Sequence, residues 1–273
     1  MKASRIAFML TGAALLGACD RETTSVFTAN NGPLAYVRFV NAVSDSGSGD
    51  WRFIDAVENS PTTFGLAFRG LFPGATYQGA GAGSRHLRVF QTSTDIVQTQ
   101  KVFFDTTFNF QASTHYTLVA AGSLRSGTAK LYILTDDFTD PGSQIAVRVF
   151  NAGAGAVDVY LSPAGGTSTL PAATAAGLAN FTATKYVSMA AGALALRAFS
   201  TGSTAFPAMV DATVPAGLPA DKANNLTAVG GSTQGGSVIT AFIFPRSVAG
   251  SAAANFTTPG VVYIVDRHPP SGF

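Results

Sequence analysis

The side chains of this 273-residue chain that could do chemistry are few: three histidines, one cysteine and 15 carboxylates. His86, His115 and His268 are far apart in sequence, whereas a zinc site needs several such ligands converging on one ion. The spacing marks no metal site, and each histidine reads as an exposed or edge-strand residue. Asp136, Asp137 and Asp140 form an oxygen-rich cluster of the kind that calcium uses. Their spacing fits no EF-hand loop, so a solvated interdomain turn is preferred and calcium is left open. Gly79-Ala80-Gly81-Ala82-Gly83 looks like part of a phosphate loop, but that motif must open a helix. Here it opens a strand pattern, Arg85 to Phe90, and reads as a flexible turn. No Gly-x-Ser-x-Gly elbow is present. Paired carboxylates for glycoside hydrolysis are not marked by any aromatic-lined acidic cluster. Aromatic residues are mostly phenylalanine, 21 against one tryptophan and seven tyrosines. Trp51, with Tyr36 or Tyr77, is therefore the one tentative ligand-binding platform. No catalytic residue, metal or cofactor is expected.

The cysteine has a more specific setting. Lys2 and Arg5 precede an apolar run from Ile6 to Leu16, and Leu16-Gly17-Ala18-Cys19 follows. About 11 apolar residues are too few to span a bilayer core, which takes about 20. A basic start, a short apolar run and small residues before a cleavage point describe a secretory signal. The tetrapeptide resembles a bacterial lipobox, which implies cleavage before Cys19 and acylation of its sulfur and its new amine. The chain is thus expected to reach the membrane through a lipid anchor at Cys19. A lone cysteine makes no internal disulfide, so an exported body must be held by its core. Asp20 to Pro33 is polar and reads as a tether.

Charge excludes one partner class. The chain has 17 basic and 15 acidic residues, and removal of Lys2 and Arg5 with the signal leaves 15 of each. No basic run remains to neutralise phosphates, so no nucleic acid is expected.

Behind the tether the sequence repeats. Val37-Arg38-Phe39-Val40-Asn41-Ala42 returns as Val147-Arg148-Val149-Phe150-Asn151-Ala152, 110 positions later. From Tyr77 and Tyr186 onward a shift of 109 relates Gly83 to Gly192, Arg88 to Arg197 and Gly122 to Gly231. A period this long means tandem domains rather than a solenoid. Short Val-, Phe-, Tyr- and Thr-rich runs, bounded by Gly, Ser and Asp clusters, read as six or seven strands per unit. The expected fold is all-β: two tandem antiparallel β-sandwiches of immunoglobulin-like or transthyretin-like type. The expected boundaries are a signal peptide over 1–18, lipidated Cys19 and tether over 19–33, a first sandwich over 34–141, a second over 144–249, and a C-terminal extension over 250–273 with one extra strand.

Strand alternation places Arg38 and Arg148 among apolar neighbours, where a guanidinium needs a partner. Asp50 and Asp158, from the following strands, are the candidates, giving structural pairs Arg38–Asp50 and Arg148–Asp158. Asn41 and Asn151 end the first strand of each copy and read as turn formers. Gly83 and Gly192 precede a strand and suit positive φ.

The pattern Val-Arg-x-x-Asn-Ala, then an Asp with an aromatic, then Tyr-x5-Gly before Leu-Arg-x-Phe, resembles the bacterial domain of unknown function 4397. The residues that carry it are Val37, Arg38, Asn41, Ala42, Asp50, Tyr77, Gly83 and Arg88, and again Val147, Arg148, Asn151, Ala152, Asp158, Tyr160, Tyr186, Gly192 and Arg197. The first copy departs from it with Trp51-Arg52 where an apolar residue and an aromatic are expected. The resemblance implies an exported, often tandem surface module and lends no catalytic residues. The expectation is a lipid-anchored protein of the bacterial cell envelope, facing the periplasm or cell surface. It would be a non-catalytic binding, adhesion or structural display module, with an envelope polysaccharide or protein as partner. An envelope hydrolase with its site at the domain interface is the alternative.

Overall fold

Val37 and Phe39 point to one side of the first strand, Val40 and Ala42 to the other, and all four are fully buried. A strand that is apolar on both faces belongs between two layers, and that placement governs the molecule. The structure, a computed structural model, describes residues 32–56, 59–74, 76–136, 138–165 and 170–270. The expected signal sequence, Cys19 and most of the expected tether lie outside these. Residues 33–273 form one compact unit.

In the first repeat the strands are β1 (Leu34–Val43), β2 (Gly49–Phe53), β3 (Thr62–Leu66), β4 (Leu71–Phe72), β5 (Gln78–Gly81), β6 (Gly83–Gln91), β7 (Val102–Phe110), β8 (His115–Gly122) and β9 (Lys130–Thr135). A four-residue helix, α1 (Ile96–Thr99), stands before β7 and is capped by Asp95. The second repeat has β10 (Gln144–Asn151), β11 (Val157–Pro163), β12 (Ala175–Leu178), β13 (Val187–Ala190), β14 (Leu194–Ser200), β15 (Val210–Thr213), β16 (Val238–Phe244) and β17 (Gly260–Arg267). The all-β expectation holds. Strand content was over-read at Val97–Asp105, which begins as α1, and at Leu226–Gly230, which makes only isolated bridges.

Each repeat is a pair of sheets. The first has an outer sheet β3-β2-β6-β7 and an inner sheet β4-β1-β8-β9, with β5 also on β1. The second has an outer sheet β12-β11-β14-β15 and an inner sheet β13-β10-β16-β17. Each sandwich has its own core, around Phe39, Trp51 and Leu118 in the first and Val149, Leu196 and Ile239 in the second.

Three expectations need correction. The sandwiches are not wholly antiparallel, because β1 runs parallel to β8 and β10 parallel to β16. Parallel neighbours need a long crossover, and here the whole outer sheet of each repeat is that crossover. The C-terminal strand is not an extra one. β17 pairs antiparallel with β16 as β9 does with β8, so the second sandwich closes at Arg267, not Ala249. The shift of 109 also fails beyond β14. Gly122 ends β8, while Gly231 lies before β16, and Thr117 of β8 matches Thr240 of β16. The 24 residues between β15 and β16 replace a four-residue turn in the first repeat.

The repeats are not independent beads. A third apolar cluster joins Val40, Ala42, Phe68, Val119 and Ala121 of the first to Phe150, Ala152, Phe242, Phe244 and Ile264 of the second. The two inner sheets thus bury their second faces against each other. Arg69 clamps the crossover between β16 and β17, donating to the Pro245 and Thr258 carbonyls at 2.7 and 2.6 Å with its guanidinium over Phe256.

Candidate functional site

Among the described residues, a gathering of buried ionisable groups lies in that joint. Arg38 on β1 pairs with Asp266 on β17, and Arg148 on β10 pairs with Asp136 just after β9. Each arginine therefore bonds to the carboxylate of the other repeat. Asp136 also lies 3.6 Å from Arg38. The support is duplicated. Arg38 Nε donates to Thr117 at 2.8 Å, and Arg148 Nε donates to Thr240 at 3.1 Å. The Thr117 hydroxyl donates to Asp136 at 2.5 Å, and that of Thr240 to Asp266 at 2.6 Å. Tyr77 donates to Asp136 at 2.9 Å, and Tyr186 to Asp266 at 3.0 Å. The guanidinium of Arg38 lies 4.5 Å from the Tyr77 ring centre, and that of Arg148 lies 4.6 Å from the Tyr186 ring centre.

This is a neutral tetrad of two cations and two anions, and its four side chains are 0–4% exposed. Burial works against both arginine charges, but the carboxylates and tyrosines around them hold each guanidinium above its ordinary value. Burial and the adjacent carboxylates push the Tyr77 and Tyr186 hydroxyls far above the usual phenol range. The tetrad is a joint between the two repeats.

The Arg38–Asp50 and Arg148–Asp158 pairs do not form. The arginines point out of their sandwiches, whereas Asp50 and Asp158 belong to the outer sheets on the far side of each core. Asp50 instead accepts from the Gly65 amide and the Thr92 hydroxyl, and Asp158 from the Gly177 and Gly202 amides. Asn41 and Asn151 do more than form turns. Asn41 donates to the Leu66 carbonyl on β3 at 2.8 Å, and Asn151 to the Leu178 carbonyl on β12 at 3.0 Å. Each ties inner sheet to outer sheet while also accepting from its own turn.

Trp51 is not a ligand platform. It is fully buried and stacked on Phe39 at 5.1 Å. It stands on β2 with its side chain in the first core. Tyr36 and Tyr77 do come together through His115, which stacks on Tyr36 at 4.8 Å and meets Tyr77 edge-on at 4.7 Å. Phe138 completes this half-exposed aromatic cluster at 5.3 Å from His115. Burial, opposed by Asp136 and reinforced by Arg38, pushes the imidazole below its ordinary value.

The other chemistry candidates resolve into structure. Asp136 is sealed in the joint, while Asp140 accepts from the Gly142 amide and pairs with Arg267. Asp137 lies outside the described residues. No group of three His, Cys, Asp or Glu side chains gathers among the described residues. His86 pairs with Asp105, and His268 Nδ1 accepts from the Gly230 amide. The Gly79 to Gly83 stretch is β5 and the start of β6. Gly83 does adopt a positive φ of 97°, but Gly192 does not. A cavity of about 190 Å³ between Ser44, Ser123, Gly153, Phe181 and Pro245 has no ionisable lining.

Asp266, Thr117, Thr240 and Tyr186 were not foreseen as partners. A signal existed: Leu134-Thr135-Asp136 and Ile264-Val265-Asp266 end equivalent strands at a shift of 130, not 109.

Fold and joint together define a fused pair of β-sandwiches in which duplicated arginines bond across the repeat boundary. Residues 35–160, the first repeat and on into β11, match the model of the family described as Domain of unknown function (DUF4397). No curated protein matches the chain. Among the described residues no helix is long and apolar enough to cross a membrane.

Proposed function

We propose that the protein is a lipid-anchored component of a bacterial cell envelope, serving as a non-catalytic binding or display module. The observation that carries this reading is the fate of the duplicated polar residues. Arg38 and Arg148, with Asp136, Asp266, Tyr77 and Tyr186, are committed to a sealed joint that makes one body of two sandwiches. A rigid scaffold on a polar tether suits presentation of its outer faces. Cys19, the single cysteine, stands where lipid processing requires it. The hydrolase alternative put its site at the domain interface. That interface is occupied by apolar side chains and a buried ion-pair tetrad, and the cavity beside it has no ionisable lining, which favours the non-catalytic reading.

Two measurements test the reading. Metabolic labelling with an alkyne fatty acid should mark the protein, and Cys19→Ala should abolish the label and release the chain from membranes. Residues 20–273 should co-sediment saturably with one envelope fraction among peptidoglycan sacculi, outer-membrane vesicles and surface polysaccharide. Failure to bind any fraction would count against a binding role and leave display or scaffolding.

A further inference from the structure

The outer sheet of the first sandwich departs from its counterpart at Arg52. Arg52 on β2 sits directly across from Arg88 on β6. The equivalent pair in the second repeat is Tyr160 and Arg197. Like charges opposed across a sheet are unfavourable by themselves, so this departure from the repeat calls for a reason.

The hydrogen bonding supplies one. Arg88 spends only Nε on Asp105, at 2.7 Å, and its terminal NH2 groups make no hydrogen bond among the described residues. Arg52 makes none at all among the described residues. Its guanidinium lies over the Phe90 ring, 4.4 Å from the centre, and its Nε is buried without a partner. Asp105, the carboxylate beside Arg88, is already shared with His86. Asp50 is held by the Gly65 amide and Thr92. In the second repeat the same place is closed. Arg197 is buried, bonded to Asp211 and Ser162, and Phe206 packs within 6.0 Å of it.

We infer that Arg52 and Arg88 form a binding site for an oxyanion carried by an envelope polysaccharide, either a carboxylate or a phosphate. Two adjacent guanidinium groups match the paired oxygens of either group, and stacking on Phe90 fixes the orientation of Arg52. Phe64, on the neighbouring strand β3, is 68% exposed on the same outer face and offers an apolar surface to the sugar ring. The inference gives the binding-module reading a ligand class and rests on it.

The test is titration calorimetry of the full-length lipidated protein in a polyoxyethylene detergent. The probes are polygalacturonate, polyphosphate and neutral dextran. Polygalacturonate or polyphosphate should bind and weaken with added salt, the stronger of the two naming the source of the anion, and dextran should not bind. Arg52→Tyr places the second repeat's own residue at this site and is compatible with the fold. It should weaken binding at least about tenfold, the loss of a charge-assisted contact. Arg52→Lys should restore part of it. No binding of either polyanion, equal binding of dextran, or unchanged affinity in Arg52→Tyr would overturn the site. Co-sedimentation separates the two readings. If wild type and Arg52→Tyr pellet equally with one fraction, the anion site falls and the module stands. If the polyanions bind but no envelope fraction does, the site stands and the envelope role falls.

Discussion

Arg38 and Arg148 show how a charged side chain is made tolerable between apolar neighbours. Removing one partner of a buried pair leaves an uncompensated charge and costs roughly 3–5 kcal/mol. Asp266→Ala and Asp136→Ala should each lower unfolding stability by that amount in urea titrations, Asp136→Ala the more because Arg38 lies near it as well. A paired Arg38→Met, Asp266→Leu variant should be less destabilised than Asp266→Ala alone. If the single change proved harmless, the joint would carry no charge requirement. Asp45 is a further buried anion. Its carboxylate accepts from the Ser123 hydroxyl at 2.6 Å and from the Leu124 and Arg125 amides at 3.0 Å. Burial opposes the charge, but these donors hold its pKa below the ordinary value. A depressed carboxylate stabilises the fold above its unfolded pKa of about 3.9, and that contribution is lost as pH falls below it. Asp45→Asn should lower stability at pH 7 by about 2 kcal/mol and flatten the loss below pH 4.

At the scale of elements, β2 and β17 carry the sharpest expectations. Trp51 fills the centre of the first core, and Trp51→Ala should cost about 3–5 kcal/mol. It is therefore a probe of folding and not of ligand contact, in contrast to Arg52→Tyr one residue along. Deleting residues 250–273 removes β17. It would bare the edge of β16, expose Phe242 and Phe244, and strip Arg38 of Asp266. The truncated chain should fail to give a cooperative unfolding transition and should bind a hydrophobic dye. Native-like melting of that truncation would refute the placement of β17 as an integral strand.

Over the whole molecule the consequence is cooperativity. Each sandwich has a core, but the third core and the crossed ion pairs belong to neither alone. Residues 33–273 should unfold in one transition by both fluorescence and calorimetry, and the isolated first sandwich should be far less stable than the whole. Two separated transitions would indicate a weaker joint. The tyrosines report on the same state. Tyr77, Tyr186 and Tyr263 are held neutral, mainly by burial. A raised pKa gives stability that is full below the unfolded value of about 10 and is lost as pH rises above it. Their ionisation in an alkaline ultraviolet titration should coincide with loss of tertiary circular dichroism.

The sequence alone determined the β class, the duplication and the location of most strands, because these rest on local alternation and on recurrence of Val-Arg-x-x-Asn-Ala. It also marked Arg38 and Arg148 as arginines in need of partners. Choosing those partners required the tertiary structure. Alternation shows that Arg38 faces away from Phe39, but not what lies on that side, and Asp266 is 228 residues distant. Nor did local pattern reveal the parallel pairings of β1 with β8 and β10 with β16, since strand direction depends on the crossover and not on strand composition. Trp51 was hidden for a simpler reason: a large aromatic serves a core or a binding face equally well, and only packing against Phe39 decided between them. Arg52 is the converse case. Its departure from the repeat was visible in the chain, but only the structure showed that a neighbouring strand sets Arg88 beside it and that both side chains keep donors unpaired among the described residues.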